Sequence, residues 1–173
     1  EVKMRLDINQ GWKDAPTALQ AIRALQSFNI EYVEQPVAAD DLDGLAKVCA
    51  ESDFPIMADE SCHTAADALK IACMQAADLI NIKLMKCGGL YQAAKILAVA
   101  EAAGLPCILG SMGESSIGSA AGLHFVTAKA SVTACEAIGP LFINNDPAVG
   151  FQVDMATFQA IPSDAAGLGV KLK

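Results

Sequence analysis

The chain lacks a membrane-length apolar run, a basic cluster and any paired cysteine motif, and each lack removes a class of function. Of its 173 residues 53% are apolar, and the mean hydropathy is +0.36. No run nevertheless approaches the ~18 uninterrupted apolar residues that a membrane span needs. Lys and Arg number 12 against 20 Asp and Glu, a net charge of -8 with no basic patch. A nucleic-acid partner held through its phosphates is therefore not expected. The six cysteines, Cys49, Cys62, Cys73, Cys87, Cys107 and Cys135, form no Cys-x-x-Cys pair and meet no histidine at zinc-finger spacing. They read as small packing residues in a reducing, cytoplasmic compartment. Neither Gly-x-Gly-x-x-Gly nor the Gly-x-x-x-x-Gly-Lys-Ser/Thr phosphate loop occurs, which counts against a doubly wound nucleotide binder.

What is present is alternation. Short apolar runs at Val2–Ile8, Ile30–Val33, Pro55–Ala58, Ala77–Met85, Leu105–Leu109 and Val132–Ala137 read as strands, starting 22 to 28 residues apart. Helical patterns fill the gaps. Asp14 caps one that carries Leu19, Ile22, Ala24 and Leu25, with Pro16 in its first turn. Asp40-Asp41 starts the next, Thr64 a third reaching about Ala76, Gly88-Gly89 a fourth reaching Gly104, and Ser115 a fifth reaching about Ala130. The tail from Pro140 reads as irregular with a short edge strand. Repeated strand–helix units of this size predict an α/β fold, parallel strands inside and helices outside. A full eight-unit barrel needs roughly 250 residues, so six units predict a partial (β/α) TIM-type barrel.

The charges sit at the ends of these strands. Asp7, Glu34 and Asp59 each follow an apolar run at its C-terminal end, one per unit. In an α/β barrel that rim carries the active site, so the three carboxylates are expected to converge. Converging carboxylates repel one another, and a divalent cation relieves this better than protonation does. An all-oxygen set on rigid strands suits Mg²⁺. The same spacing also fits three unrelated carboxylates, one capping a helix and two in surface ion pairs. The fourth run adds Lys83 and Lys86, which in extended chain point to opposite faces, with Asn81 on the face of Lys83. A lysine beside a metal has its pKa lowered and can take a proton at neutral pH; Lys86 fits a snorkelling surface lysine better.

Four motifs now stand in order: Asp7-Ile-Asn9-Gln-Gly-Trp12, Glu34-Gln35-Pro36, Ala58-Asp59-Glu60-Ser61 and Asn81-Ile-Lys83-Leu-Met-Lys86-Cys-Gly-Gly89. Together they resemble the enolase superfamily, in its muconate-lactonizing-enzyme (mandelate racemase–muconate lactonizing enzyme) subgroup, over essentially the whole chain. The resemblance implies about strands 3–8 of a modified barrel, with Mg²⁺, or Mn²⁺ in its place, held by Asp7, Glu34 and Asp59. It implies Lys83 as general acid/base, and Asn9 and Glu60 as supports that orient Asp7, Asp59 or the lysine. The implied chemistry is abstraction of a proton α to a carboxylate of a small-molecule substrate, giving a metal-stabilised enediolate.

Substrate choice falls to the later strands. Glu136 in Glu136-Ala-Ile138-Gly139-Pro140 resembles the Glu-x-x-Gly-Pro of cycloisomerases, whereas dipeptide epimerases carry Asp-x-Asp there. Ile138 departs from that pattern, which counts against a dipeptide. Ser111, Met112 and Glu114 are expected to line the pocket. His63, His124 and Trp12 read as structural. The resemblance further implies a capping domain and two earlier barrel strands, one with Lys-x-Lys, so residues 1–173 read as a single C-terminal catalytic barrel portion. Its open edge at Val2–Ile8 predicts homo-oligomers. The leading function is a Mg²⁺-dependent isomerase, a cycloisomerase or racemase/epimerase. A dehydratase using the same chemistry and a catalytically silent folded segment are the alternatives.

Overall fold

The computed structural model describes residues 2–173. Among the described residues, six strands alternate with helices as the sequence predicts, and four short strands follow them. β1 (Met4–Asp7), β2 (Ile30–Glu34), β3 (Ile56–Ala58), β4 (Leu79–Ile82), β5 (Cys107–Leu109) and β6 (Val132–Cys135) form one sheet in that order. The pairs β1–β2, β2–β3 and β3–β4 are parallel. From β4 to β5 the bonds advance together, Ile80 N–H to Pro106 O and Gly110 N–H to Ile82 O, which is again a parallel ladder. Strands added strictly in sequence order are singly wound. A doubly wound sheet would reverse direction once, so the topology is that of a partial (β/α) barrel.

The chain divides into two compact units. The first comprises residues 1–81 and 95–107, and the second 82–94 and 108–173. In the first, β2 and β3 are buried almost throughout, as expected for strands covered on both faces. α1 (Ala15–Ala24) starts where the Asp14 carboxylate accepts the Thr17 N–H at 2.9 Å, and it buries Ala15, Ala18, Leu19 and Ile22 on one face. α2 (Leu42–Glu51) starts where Asp41 accepts the Gly44 N–H, and it buries Leu45 and Val48. α3 (Ala65–Met74) carries a reciprocal Thr64–Asp67 capping box and ends at Gln75 in the left-handed region.

In the second unit, α4 (Leu84–Cys87) is a single turn and α6 (Ser116–Thr127) leads to β6. α5 (Leu90–Ala103) contributes to both units. Two sequence expectations are corrected here. The run Ala77–Met85 is not one strand: β4 stops at Ile82, and the chain turns helical at Leu84. The opposite-face argument for Lys83 and Lys86 therefore lapses, because an α-helical turn has no period of two. The tail is not irregular either. After a 3₁₀ turn at Gly139–Leu141, β7 (Ala148–Val149) pairs with β10 (Lys171–Leu172), and β8 (Gln152–Asp154) pairs with β9 (Gln159–Ile161), both antiparallel. Strands of two or three residues carry too few alternations to show a period.

Candidate active site

The first unit sets three carboxylates by register. Asp7 is the Cα partner of Glu34 in the β1–β2 ladder, and Glu34 is the partner of Met57 in β2–β3. Asp59 lies two residues beyond Met57, which returns the side chain to the same face of the sheet. Asn81 and Glu34 share a face: the Asn81 side-chain amide donates to Glu34 Oε1 at 2.8 Å, reaching across β3. Glu34 and Asp59 are buried, at 5% and 2% exposure, while Asp7 is exposed.

The shared face does not amount to a closed cluster. Among the described residues, no three His, Cys, Asp or Glu side chains are grouped as a metal would need them. Ionised carboxylates repel, and Asp7 Oδ1 instead accepts the Asn9 backbone N–H at 2.9 Å. The donor set itself fits a hard cation: carboxylate oxygens only, from the C-terminal ends of three consecutive strands, with an amide already fixing one of them.

Asn9 and Glu60 lie in the loops that follow β1 and β3. Asn9 supports Asp7 through its backbone N–H, in a loop where Asn9 and Gln10 both have positive φ. Glu60 touches neither carboxylate by a hydrogen bond of its own side chain. Its Oε1 accepts from Gln10 Nε2 at 3.2 Å, and its Oε2 is buried with no hydrogen-bond partner among the described residues.

Beside these carboxylates the Glu34-Gln35-Pro36 motif carries a further polar side chain, that of Gln35. It is fully buried, and its amide makes four hydrogen bonds: from Asp59 N–H and Ser61 N–H, and to Ser61 Oγ and Val37 O. The Glu-Gln-Pro tripeptide is the only trace it leaves in the sequence. Nothing in a period-two pattern shows an amide engaging residues 24 and 26 positions away.

In the second unit, Lys83 is extended (φ -125°, ψ 124°) at the N-cap of α4 and is buried, at 8% exposure. Ser111, Glu114 and Glu136 line one small cleft, with Leu84, Gly118 and Gly122 beside them. Glu114 ties that turn together, accepting from Ser111 Oγ and from the Met112 N–H. Met112 is 55% exposed and does not line the cleft. Gly139 explains the Gly-Pro of its motif: a Cβ there would stand 2.1 Å from the Glu114 carbonyl oxygen and 2.7 Å from its nitrogen. Beside the two glutamates, burial first and then the charges of Glu136 and Glu114 push the Cys135 thiol up, partly offset by an Ala137 backbone hydrogen bond.

No helix among the described residues is long and apolar enough to cross a membrane. All six cysteines are free thiols.

Comparison with known proteins gives one consistent result. The family model described as Enolase C-terminal domain-like matches residues 1–173. The L-Ala-D/L-Glu epimerase of Bacillus subtilis is 48% identical over 147 residues, covering 84% of this chain and 40% of that protein. Muconate cycloisomerase 1 of Rhodococcus opacus is 36% identical over 170 residues, covering 98% and 45%. Among solved structures, the dipeptide epimerase of Enterococcus faecalis complexed with Mg and the dipeptide L-Leu-L-Tyr superposes with a TM-score of 0.91 at 41% identity, covering 98% of this chain and 48% of that one. The chain thus spans somewhat under half the length of these relatives.

Proposed function

The chain belongs to the enolase C-terminal domain-like family, and on that premise we propose that it supplies the metal-holding face and one acid/base of an isomerase that moves a proton α to a carboxylate. Asp7, Glu34 and Asp59 are the residues that would hold Mg²⁺. When bound, the ion supplies Lewis-acid stabilisation of the negative charge that develops on the substrate carboxylate. Asn81 keeps Glu34 oriented through its 2.8 Å hydrogen bond. Asp7, exposed, accepts the Asn9 N–H of its own loop and would complete the set. Lys83, buried at the N-cap of α4, takes the α-proton and returns it. The observation that carries the reading is the register Asp7–Glu34 with Asn81 bonded to Glu34, one face at the ends of consecutive strands.

The substrate class is a small carboxylate. Relatives named for a dipeptide-type epimerisation and for muconate both fall within it. Ile138, 52% exposed, offers no charge to a substrate ammonium, which favours substrates without a free amino group. Free thiols throughout suit a cytoplasmic location.

The test is Mg²⁺-dependent exchange of the α-proton into D₂O, with L-Ala-L-Glu and an N-acylated amino acid as probes. Exchange that disappears in Lys83→Ala supports the reading; unaltered exchange in that variant removes Lys83 from it. The open spacing of the carboxylates favours a second reading, a folded but silent segment. That reading is supported if metal binds and no exchange follows.

A further inference from the structure

The three carboxylates sit on three different strand–loop junctions, and something must fix the junctions relative to one another. Two glutamine amides do this in the first unit. Gln35 Oε1 accepts the Asp59 N–H at 2.9 Å and the Ser61 N–H at 3.1 Å, while its Nε2 donates to Ser61 Oγ at 2.8 Å and Val37 O at 3.0 Å. A side-chain amide offers two acceptor sites and two donors, so its capacity is filled. Its backbone continues the seam: the Gln35 N–H donates to Met57 O, and its carbonyl accepts the Gln10 N–H at 2.8 Å. Gln10 then spans the other side, its Oε1 accepting the Ala39 N–H at 2.9 Å and its Nε2 donating to Glu60 Oε1. Between them the two amides join the loops that follow β1, β2 and β3.

The backbone shows that this seam is imposed rather than relaxed. Gln35 has φ +38° and Gln10 φ +65°, the left-handed region that non-glycine residues rarely occupy. Gln35 also precedes Pro36, which disfavours helical backbone at the position before it. Such conformations persist only where surrounding bonds over-determine them, and they gather at functional sites. Three of Gln35's four partners are backbone groups that apolar packing would leave unpaired. The network joins the residue after Glu34 to the backbone of Asp59.

We propose that Gln35 and Gln10 are positioning residues: they set the separation of the junctions bearing Asp7, Glu34 and Asp59, and hence the affinity of that face for a divalent cation. The proposal rests on the metal-holding reading of those carboxylates. Partners that orient metal ligands typically contribute 10- to 100-fold in affinity.

The probe is Mn²⁺ alone, with its dissociation constant followed by electron paramagnetic resonance at a temperature where every variant is folded by circular dichroism. Urea midpoints are taken in parallel. Gln35→Met, which keeps the length and removes all four bonds, is expected to weaken Mn²⁺ binding by ~10- to 100-fold and to alter the line shape of the bound ion. Gln10→Ala, at an exposed position, is expected to weaken it several-fold with the urea midpoint little changed. Folded variants with lowered midpoints but the parent's Mn²⁺ affinity and line shape would overturn the proposal, since the amides would then be structural only. If Gln35→Met does not fold, Gln10→Ala and Gln35→Glu decide by the same two readouts. A parent chain that binds no Mn²⁺ overturns the metal-holding reading itself, an outcome distinct from unchanged binding in the variants.

Discussion

The loops after β1, β2 and β3 carry more long-range side-chain hydrogen bonds than the tail beyond Pro140 does. In the loops, local bonds such as Asn9 N–H to Asp7 stand beside a long-range set, Gln35 to Asp59 and Ser61 and Gln10 to Ala39 and Glu60, and Asn81 of β4 reaches Glu34. In the tail, Asp146 reaches back to the Ser116 N–H and hydroxyl, and the other bonds are local, such as Asp154 to the Ala156 N–H and Ser163 to the Ala165 N–H. The tail also leaves large apolar side chains in solvent, with Phe142 77% and Phe158 73% exposed, while the first unit buries Ile56, Met57 and Ile71 completely. Polar stitching over long sequence separations costs chain entropy and marks where geometry has to be held. Local turns only close the chain.

That contrast can be broken by substitution, and the core should separate the regions most. Ile56→Ala or Ile71→Ala, each at a fully buried site, is expected to cost about 2–5 kcal/mol by urea unfolding, whereas an exposed tail substitution such as Phe142→Ala should stay within ~0.5 kcal/mol. A tail substitution as costly as a core one would mean that the exposed aromatics are covered in solution.

Gly139 is the exception that sharpens the comparison, because it is a point in the later part of the chain where packing is as tight as in any core. Gly139→Ala drives a Cβ into the Glu114 backbone, and overpacking of this kind costs typically ~1–3 kcal/mol. An unchanged urea midpoint would show that the 111–114 turn moves aside freely. Thr64→Ala, which removes the α3 cap, should cost ~1 kcal/mol at pH 7.

The smallest effect is the pH dependence of that cap. Burial pushes the Asp67 carboxyl up, but hydrogen bonds from the Thr64 hydroxyl and from the His63 and Thr64 N–H groups outweigh it, so the folded pKa is lowered. Stability from a depressed carboxyl is full above its unfolded value of ~3.9 and is lost as pH falls through the folded value. The gap between Thr64→Ala and the parent should therefore narrow below about pH 4. A gap that stays constant down to pH 2 would assign the cap's contribution to the Thr64 hydroxyl on the Asp67 N–H alone.

The helices were legible because their signals are local. Asp14, Asp41, Thr64 and Ser115 stand where helices begin, and all four are N-caps in the structure. The β4 boundary was misread because Leu-Met after Lys83 is apolar in either conformation; only the α4 turn, with Cys87 N–H bonded to Lys83 O, decides it. The tail ribbons were invisible because β7 and β10 meet from opposite ends of the tail.

The sequence by itself determined the order of strands and helices, and which acids stand at strand ends, because hydrophobic period and capping chemistry act over a few residues. Only tertiary structure decided that Asn81 reaches Glu34, that Gln35 takes a left-handed backbone to hold the Asp59–Ser61 turn, and that Asp7 leans on Asn9. Those are choices among partners distant in the chain, and they are made when the sheet sets the register.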